Sequence, residues 1–363
     1  MLLTTKKLIL TMTAAFGLAS FAAPVLSQST APSAKTATSS TAKKTSAGKG
    51  KAVKTTAKRT TKKASAKRTS IKKNAKKTKK ARRAKRRTGS SPSQATLAGL
   101  RKTADPLLLG SSVAYAVDQD TGEELVVKNA DVPLPIASVT KLMTALVAES
   151  DLPLDDKVRI TREDYVRSNA YSKLTNGMVM TREALLKAAL MSSDNRAAHA
   201  LARSYPGGKK QFIARMNETA AELGMTDSFF ADPTGLDNRN HSTARDLGKL
   251  VAAVYEYQEI RTASTAPMAK LRAGRRTVSL KTTNRLIGDP SWRIGIQKTG
   301  FTTAAGRCMV VQSEVGDRRL VMVVLDSPDN AQRANDMRTM RAFVEMEETF
   351  AKDFSNTRPY ELF

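Results

Sequence analysis

Three short groups of residues in this chain have the types and spacing for acyl chemistry. The first is Pro135-Ile-Ala-Ser-Val-Thr-Lys-Leu-Met-Thr144. Val139, Leu142, Met143, Leu146 and Val147 recur at helical spacing, which predicts an amphipathic helix starting near Ala137 or Ser138, just after Pro135. Ser138 and Lys141, three apart, are then neighbours on its first turn. The hydroxyl sits at the positive end of the helix dipole, which favours developing negative charge, and the amine beside it can take its proton. Ser-x-x-Lys alone is a weak pattern. It recurs at Ser40, Ser46 and Ser70 in a lysine-rich stretch, and a capping serine beside a solvated lysine would look the same.

The second group, Ser193-Asp194-Asn195, falls between two helical stretches. A hydroxyl and an amide two residues apart on a tight turn can face one cleft, although the same residue types make ordinary helix caps. The third is Lys298-Thr299-Gly300. Strand alternation sets Lys298 on the same face as Trp292, Ile294 and Ile296. An ammonium closing an apolar face is costly unless something there requires it or the side chain snorkels out from the strand end. Gly300 would admit a close backbone or ligand.

The elements that must position these groups follow from periodicity and turn chemistry. Ser112 to Val117 and Glu124 to Val127 read as a hairpin around a turn-rich Asp118–Gly122 loop. Helices are expected over Thr181–Leu190, Arg196–Tyr205 and Lys210–Leu223, the last closed by Gly224. Another begins with a capping-box-like Thr243-Ala-Arg-Asp246 and runs to about Tyr257. Strand character returns over Trp292–Thr299, Arg307–Ser313 and Arg319–Leu325, before a terminal helix from Asp329 to Lys352. Strands at both ends with helices between them indicate one α/β domain. Hairpin-length turns between the late strands make its sheet antiparallel.

Charge divides the chain. Of its 61 basic residues, 25 lie in the first 90, where there is no Asp or Glu; the remainder is nearly neutral. Residues 1–28 read as a secretory signal: Lys6 and Lys7, an apolar run from Leu8 to Ala23, and modest side chains near Ser27. That run is short for a bilayer span. Residues 29–95 are Lys, Ala, Thr, Ser and Arg with almost no large apolar side chain, a composition expected to be disordered. Such a basic tail behind an export signal points to anionic envelope surfaces and to no dedicated nucleic-acid site. The lone Cys308 excludes an intramolecular disulfide and reads as a buried strand thiol. His199 and His241 read as structural, and no Cys/His metal spacing or phosphate-binding glycine loop is present.

Taken in order, Ser-x-x-Lys, Ser-x-Asn and Lys-Thr-Gly, separated by 55 and 105 residues, resemble the signature of the penicillin-binding protein and serine β-lactamase fold. Pro135–Ala145, Leu190–Ala198, Tyr205–Gly208, Asp232-Pro-Thr-Gly-Leu236, Ser242–Leu247 and Lys298–Thr302 further resemble the low-molecular-mass D-alanyl-D-alanine peptidases, in particular the endopeptidases of penicillin-binding protein 7 type. The resemblance spans about residues 105–350. It implies an antiparallel sheet flanked by helices, with an inserted helical region, in a catalytic domain over 105–352 followed by a short tail, 353–363.

By that resemblance Ser138 is the nucleophile toward a D-alanine carbonyl of a peptidoglycan stem peptide, and Lys141 its base. A neutral lysine near pH 7 needs about 4–5 kcal/mol of differential environment, expected from burial and from the like charge of Lys298. Ser193 is implied to relay a proton to the leaving amine and Asn195 to hold the substrate amide. Lys298 and Thr299 are implied to bind substrate negative charge beside Gly300, and the backbone N–H groups of Ser138 and Phe301 to form the oxyanion hole. No metal or organic cofactor is implied, and β-lactams should acylate Ser138.

Residues 226–248 contain no Glu to serve as a β-lactamase's deacylating base. The chain ends soon after its last expected helix, without the second β-rich domain of many carboxypeptidases. Cleavage of D,D cross-links is therefore the expected activity, with trimming of terminal D-alanine as the alternative and non-catalytic peptidoglycan binding as the reading from another class. The expected location is the periplasm.

Overall fold

A computed structural model of the protein describes residues 91–168 and 170–356. The expected signal segment, most of the basic tail and the last seven residues lie outside the described residues. The body begins earlier than composition suggested. Gln94–Leu97 forms a helical turn, α1, capped by Ser93, and Ala95 is buried, so residues 93–95 belong with the body and not with the basic tail.

Strands β1 (Val113–Asp118) and β2 (Glu124–Lys128) form the expected hairpin. After β3 (Leu134–Pro135) a short 3-10 turn, Ala137–Thr140, leads into α2 (Lys141–Asp151), whose predicted apolar stripe is fully buried. Short strands β4 (Lys157–Arg159) and β5 (Val179–Thr181) pair, and Thr181 caps α3 (Arg182–Met191). Helices α4 (Asn195–Arg203) and α5 (Gly208–Glu222) complete the insert, and β6 (His241–Ser242) pairs with β3. The next elements are α6 (Ala244–Tyr255), α7 (Gln258–Thr265) and the hairpin β7 (Met268–Ala273) with β8 (Arg276–Lys281). Three long strands, β9 (Arg293–Thr302), β10 (Gly306–Val315) and β11 (Arg318–Ser327), precede the terminal helix α8 (Asn330–Asn356).

The main sheet is antiparallel in the order β2-β1-β11-β10-β9. Alternation along β11 separates two apolar layers. Val321, Val323 and Leu325 pack in the layer that holds α6, while Leu320, Met322 and Val324 pack with Met337, Met340 and Val344 of α8. Both faces of the sheet are thus covered, as its mostly apolar central strands require.

Two sequence expectations need correction. Trp292 and Ile294 do not share a face with Ile296 and Lys298. Register slips at Gly295, where Gln312 pairs with Ile296 but Ser313 pairs with Ile294, and this bulge sends the first two toward α8 and the second two toward the insert. A Cβ at Gly295 would collide with Gln312 Oε1 and the Tyr255 ring, so the bulge site has room only for glycine. The capping box at α6 is half made. Thr243 accepts from Asp246 N, but the Asp246 carboxylate turns away to Asp227 N and Ser228 Oγ, tying the preceding loop to the helix.

Candidate active site

The three motifs converge in one cleft between the insert and β9. Lys141 is fully buried, and its Nζ lies 2.9 Å from Ser138 Oγ, 2.7 Å from Asn195 Oδ1 and 2.7 Å from the Thr234 carbonyl oxygen. Lys298 is also fully buried; its Nζ donates to Ser193 Oγ at 2.9 Å and to the Thr299 carbonyl at 2.7 Å.

Burial pulls Lys141 down from 10.5 to about 7, against the opposing pull of the Asp232 and Asp194 carboxylates. Desolvation is the leading cause for Lys141, and the two buried lysine charges disfavour one another. The Lys298 pKa is pushed well below the usual lysine value by burial, then by the Lys141 and Arg333 charges.

A neutral lysine has two N–H donors and one lone pair. The Thr234 carbonyl can only accept, and Asn195 Oδ1 likewise. Those two oxygens take both N–H groups and leave the lone pair directed at Ser138 Oγ–H. This geometry can take a proton from the Ser138 hydroxyl as that oxygen bonds to an electrophile.

The backbone is built tightly around Ser138. Ala137 has φ +49°, a left-handed conformation that costs a residue with a side chain on the order of 1 kcal/mol or more. Ser193, on the turn between α3 and α4, is held at φ +57°. Gly235 packs against Ala137, where a Cβ would lie 1.8 Å from its carbonyl oxygen. A methyl on Gly300 would stand 3.0 Å from both Ser138 N and Ile136 O, so the close approach predicted for this glycine is made by the backbone at Ser138. Phe301 follows with its ring half exposed under the Arg307 guanidinium, 4.7 Å from centroid to carbon.

The structure therefore brings Ser138, Lys141, Ser193, Asn195, Lys298, Thr299 and Gly300 together. Asn195, expected to hold substrate, spends its oxygen on Lys141 and its amide on Ser168 at 3.3 Å. Asp194 caps α4 through Arg196 N and Ala197 N and accepts from Ser172 Oγ at 2.7 Å. His241 pairs with Phe229 away from the catalytic lysines, and burial first among several causes lowers the pKa of His199.

Three contributors escaped sequence reasoning. The Thr234 carbonyl is a main-chain atom; its only trace is the Asp232-Pro-Thr-Gly235 run, where Asp232 accepts from Thr234 Oγ1 and Gly235 N. Asn240, fully buried, braces that loop by accepting from Ala231 N and Asp232 N and donating to Thr140 Oγ1 and Asp232 O. Thr283, after β8, sets its hydroxyl 2.7 Å from that of Thr299 with no sequence signal at all.

Residues 101–329 match the family model described as D-alanyl-D-alanine carboxypeptidase, of the peptidase S11 type. The chain is 40% identical to a D-alanyl-D-alanine endopeptidase of Pseudomonas aeruginosa over 65% of its own length and 78% of that protein. It is 38% identical to the enzyme of the same name from Escherichia coli K12, over 67% and 80% respectively. A D-alanyl-D-alanine carboxypeptidase of Streptomyces K15 is 34% identical over 61% of this chain and 82% of that one. Among solved structures, the Streptomyces K15 DD-transpeptidase superposes with TM-score 0.62 at 30% identity over 66% of this chain and 98% of its own. Penicillin-binding protein D2 of Listeria monocytogenes, in its ampicillin-bound form, superposes with TM-score 0.58 at 29% identity, over 66% and 99%. With a match of this extent falling on the cleft just described, the chain belongs to the S11 family and is a serine D-Ala-D-Ala hydrolase.

Proposed function

We propose that this enzyme is a penicillin-sensitive D,D-endopeptidase that opens cross-links between peptidoglycan stem peptides. One observation carries the reading. The relatives named endopeptidases match at 38–40% identity, above the 28–34% of the relatives named carboxypeptidases.

In this reading Lys141, neutral, takes the Ser138 proton as Oγ bonds to the D-alanine carbonyl carbon. The Ser138 and Phe301 N–H groups hold the oxyanion. Collapse breaks the C–N bond, and the proton that Lys141 took from Ser138 is relayed through the Ser193 hydroxyl, backed by Lys298, to the departing amine, which leaves Lys141 neutral again. Water then adds to the ester as neutral Lys141 takes its proton, and Lys141 returns that proton to Ser138 Oγ as the C–O bond breaks, restoring the serine hydroxyl and the neutral amine. Arrival of a substrate carboxylate at Lys298 and Thr299 offsets the burial that holds the Lys298 amine low, restoring its charge. A β-lactam carbonyl enters the same first step and stays as an acyl-enzyme.

The location belongs to the same proposal. The N-terminal signal directs the enzyme to the periplasm, and the basic tail tethers it to anionic envelope surfaces through salt-sensitive attraction. Support for this is compositional: 25 basic residues and no acidic ones before residue 91.

The test is labelling with a fluorescent penicillin beside Ser138→Ala, then turnover of a cross-linked muropeptide dimer and of a linear pentapeptide. Stable labelling lost in the variant, with the dimer cleaved in preference, is the expected result. Labelling without dimer cleavage would make it a carboxypeptidase. Deleting residues 29–90 should abolish pelleting with isolated envelopes at low salt.

A further inference from the structure

Between Glu259 and Asp289 the chain carries seven basic residues and no acidic one. Five of them, Lys270, Arg272, Arg275, Arg276 and Lys281, are exposed on the β7–β8 hairpin. None of the five forms an ion pair among the described residues. Elsewhere the folded body pairs its surface charges freely, as in Arg319 with Asp120 and Arg245 with Asp131. Register makes the hairpin's outer face a ladder: Lys270 stands opposite Ser279 and Arg272 opposite Thr277, while Leu271, Val278 and Leu280 point inward and are buried. Two surface cavities, of about 340 and 470 Å³, meet at Val179 and Gly274 beside it. Their walls include Lys157, Arg272, Arg275 and Arg276, with no carboxylate.

This hairpin ends at the catalytic cleft. Two residues beyond Lys281 is Thr283, whose hydroxyl is 2.7 Å from that of Thr299. At about 3.3 Å per strand residue, Lys281 is about 7 Å along the chain from that contact and Ser279 about 13 Å. The hairpin thus extends from the Lys298–Thr299 side of the cleft, where Ser193 would deliver a proton to the leaving amine. A terminal D-alanine ends there. The leaving half of a cross-link does not: it continues as a second stem peptide with its own carboxylates.

We propose that the Met268–Lys281 hairpin is the subsite for the leaving strand, with Lys270, Arg272, Arg276 and Lys281 binding stem-peptide carboxylates and so favouring cross-linked over terminal substrates. The proposal rests on the endopeptidase reading above and deepens it.

The test is binding in a Ser138→Ala background, where nothing is turned over. Lys270→Gln, Arg272→Gln and Arg276→Gln combined should weaken calorimetric binding of a cross-linked muropeptide dimer about five- to tenfold at low salt and less at high salt. Binding of a linear pentapeptide should not change. A dimer whose leaving-strand carboxylates are amidated should bind both proteins alike, at the weakened level. No change for the dimer, equal weakening of both ligands, or an undiminished effect on the amidated dimer overturns the proposal. Turnover of the dimer by the Ser138 enzyme reads the endopeptidase assignment separately. A binding difference without turnover would keep the subsite and remove that assignment.

Discussion

The Thr234 carbonyl oxygen stands 2.7 Å from the Lys141 amine, and it is an acceptor that cannot turn over into a donor. Together with Asn195 Oδ1 it fixes where the two N–H groups of a neutral lysine go, and hence where the lone pair goes. Lys141 and Ser138 are aligned by a loop 93 residues downstream of the lysine.

Protonation of Lys141 should set the pH profile. With its pKa near 7, acylation by penicillin should fall about tenfold per unit below pH 7 and level off above it. Stopped-flow acylation rates across pH 5–9 (about that range) check this; a flat profile would remove Lys141 as the base.

The same depressed value bears on stability. Between pH 7 and 10.5 the unfolded chain holds a proton on this lysine that the folded chain has shed, so stability rises with pH across that window. At and below pH 7 the burial costs the fold about 5 kcal/mol. Lys141→Met should therefore abolish acylation yet unfold no earlier than the wild type in urea at pH 7.

Gly300→Ala places a methyl 3.0 Å from Ser138 N and 3.1 Å from Ala137 Cβ. The nucleophile's backbone must shift by a few tenths of an ångström. Acylation should drop about 10- to 100-fold with a thermal midpoint little changed.

Asn240→Ala leaves Ala231 N, Asp232 N and Thr140 Oγ1 without their buried partner. A loss of about 2–4 kcal/mol in unfolding free energy is expected. Acylation should slow in the fraction that remains folded, because the Thr234 carbonyl loses its brace.

Cys308 is buried, and burial pushes its thiol up to about 12. It should be silent to a thiol-titrating disulfide reagent until denaturant is added. Titration of the native protein would contradict its burial in β10.

Much of this was legible because the chemistry is local. Ser138 and Lys141 lie on one turn, and their helix announces itself through Val139, Leu142 and Leu146, all buried. The late strands were legible from β-branched runs. What was lost depended on the third dimension. No alternation rule anticipates the bulge at Gly295, because its cause is the Tyr255 ring and the Gln312 side chain arriving from elsewhere. The β7–β8 hairpin was missed because Ala269, Lys270 and Ala273 are weak strand formers and obscure the alternation of Leu271, Val278 and Leu280. Thr283 contributes through its position, and its type carries no signal.

The left-handed backbone at Ala137 and Ser193 has a consequence for anyone selecting variants of this enzyme for heat resistance. Glycine at either position relieves local strain of on the order of 1 kcal/mol, so both substitutions gain in a screen that scores only survival of the fold. Ser193→Gly would at the same time delete the hydroxyl that receives the Lys298 hydrogen bond. Selection for durability and selection for turnover pull in opposite directions at Ser193, and a thermostable lineage bred without substrate would be expected to drift there toward a protein that keeps the shape and loses the reaction.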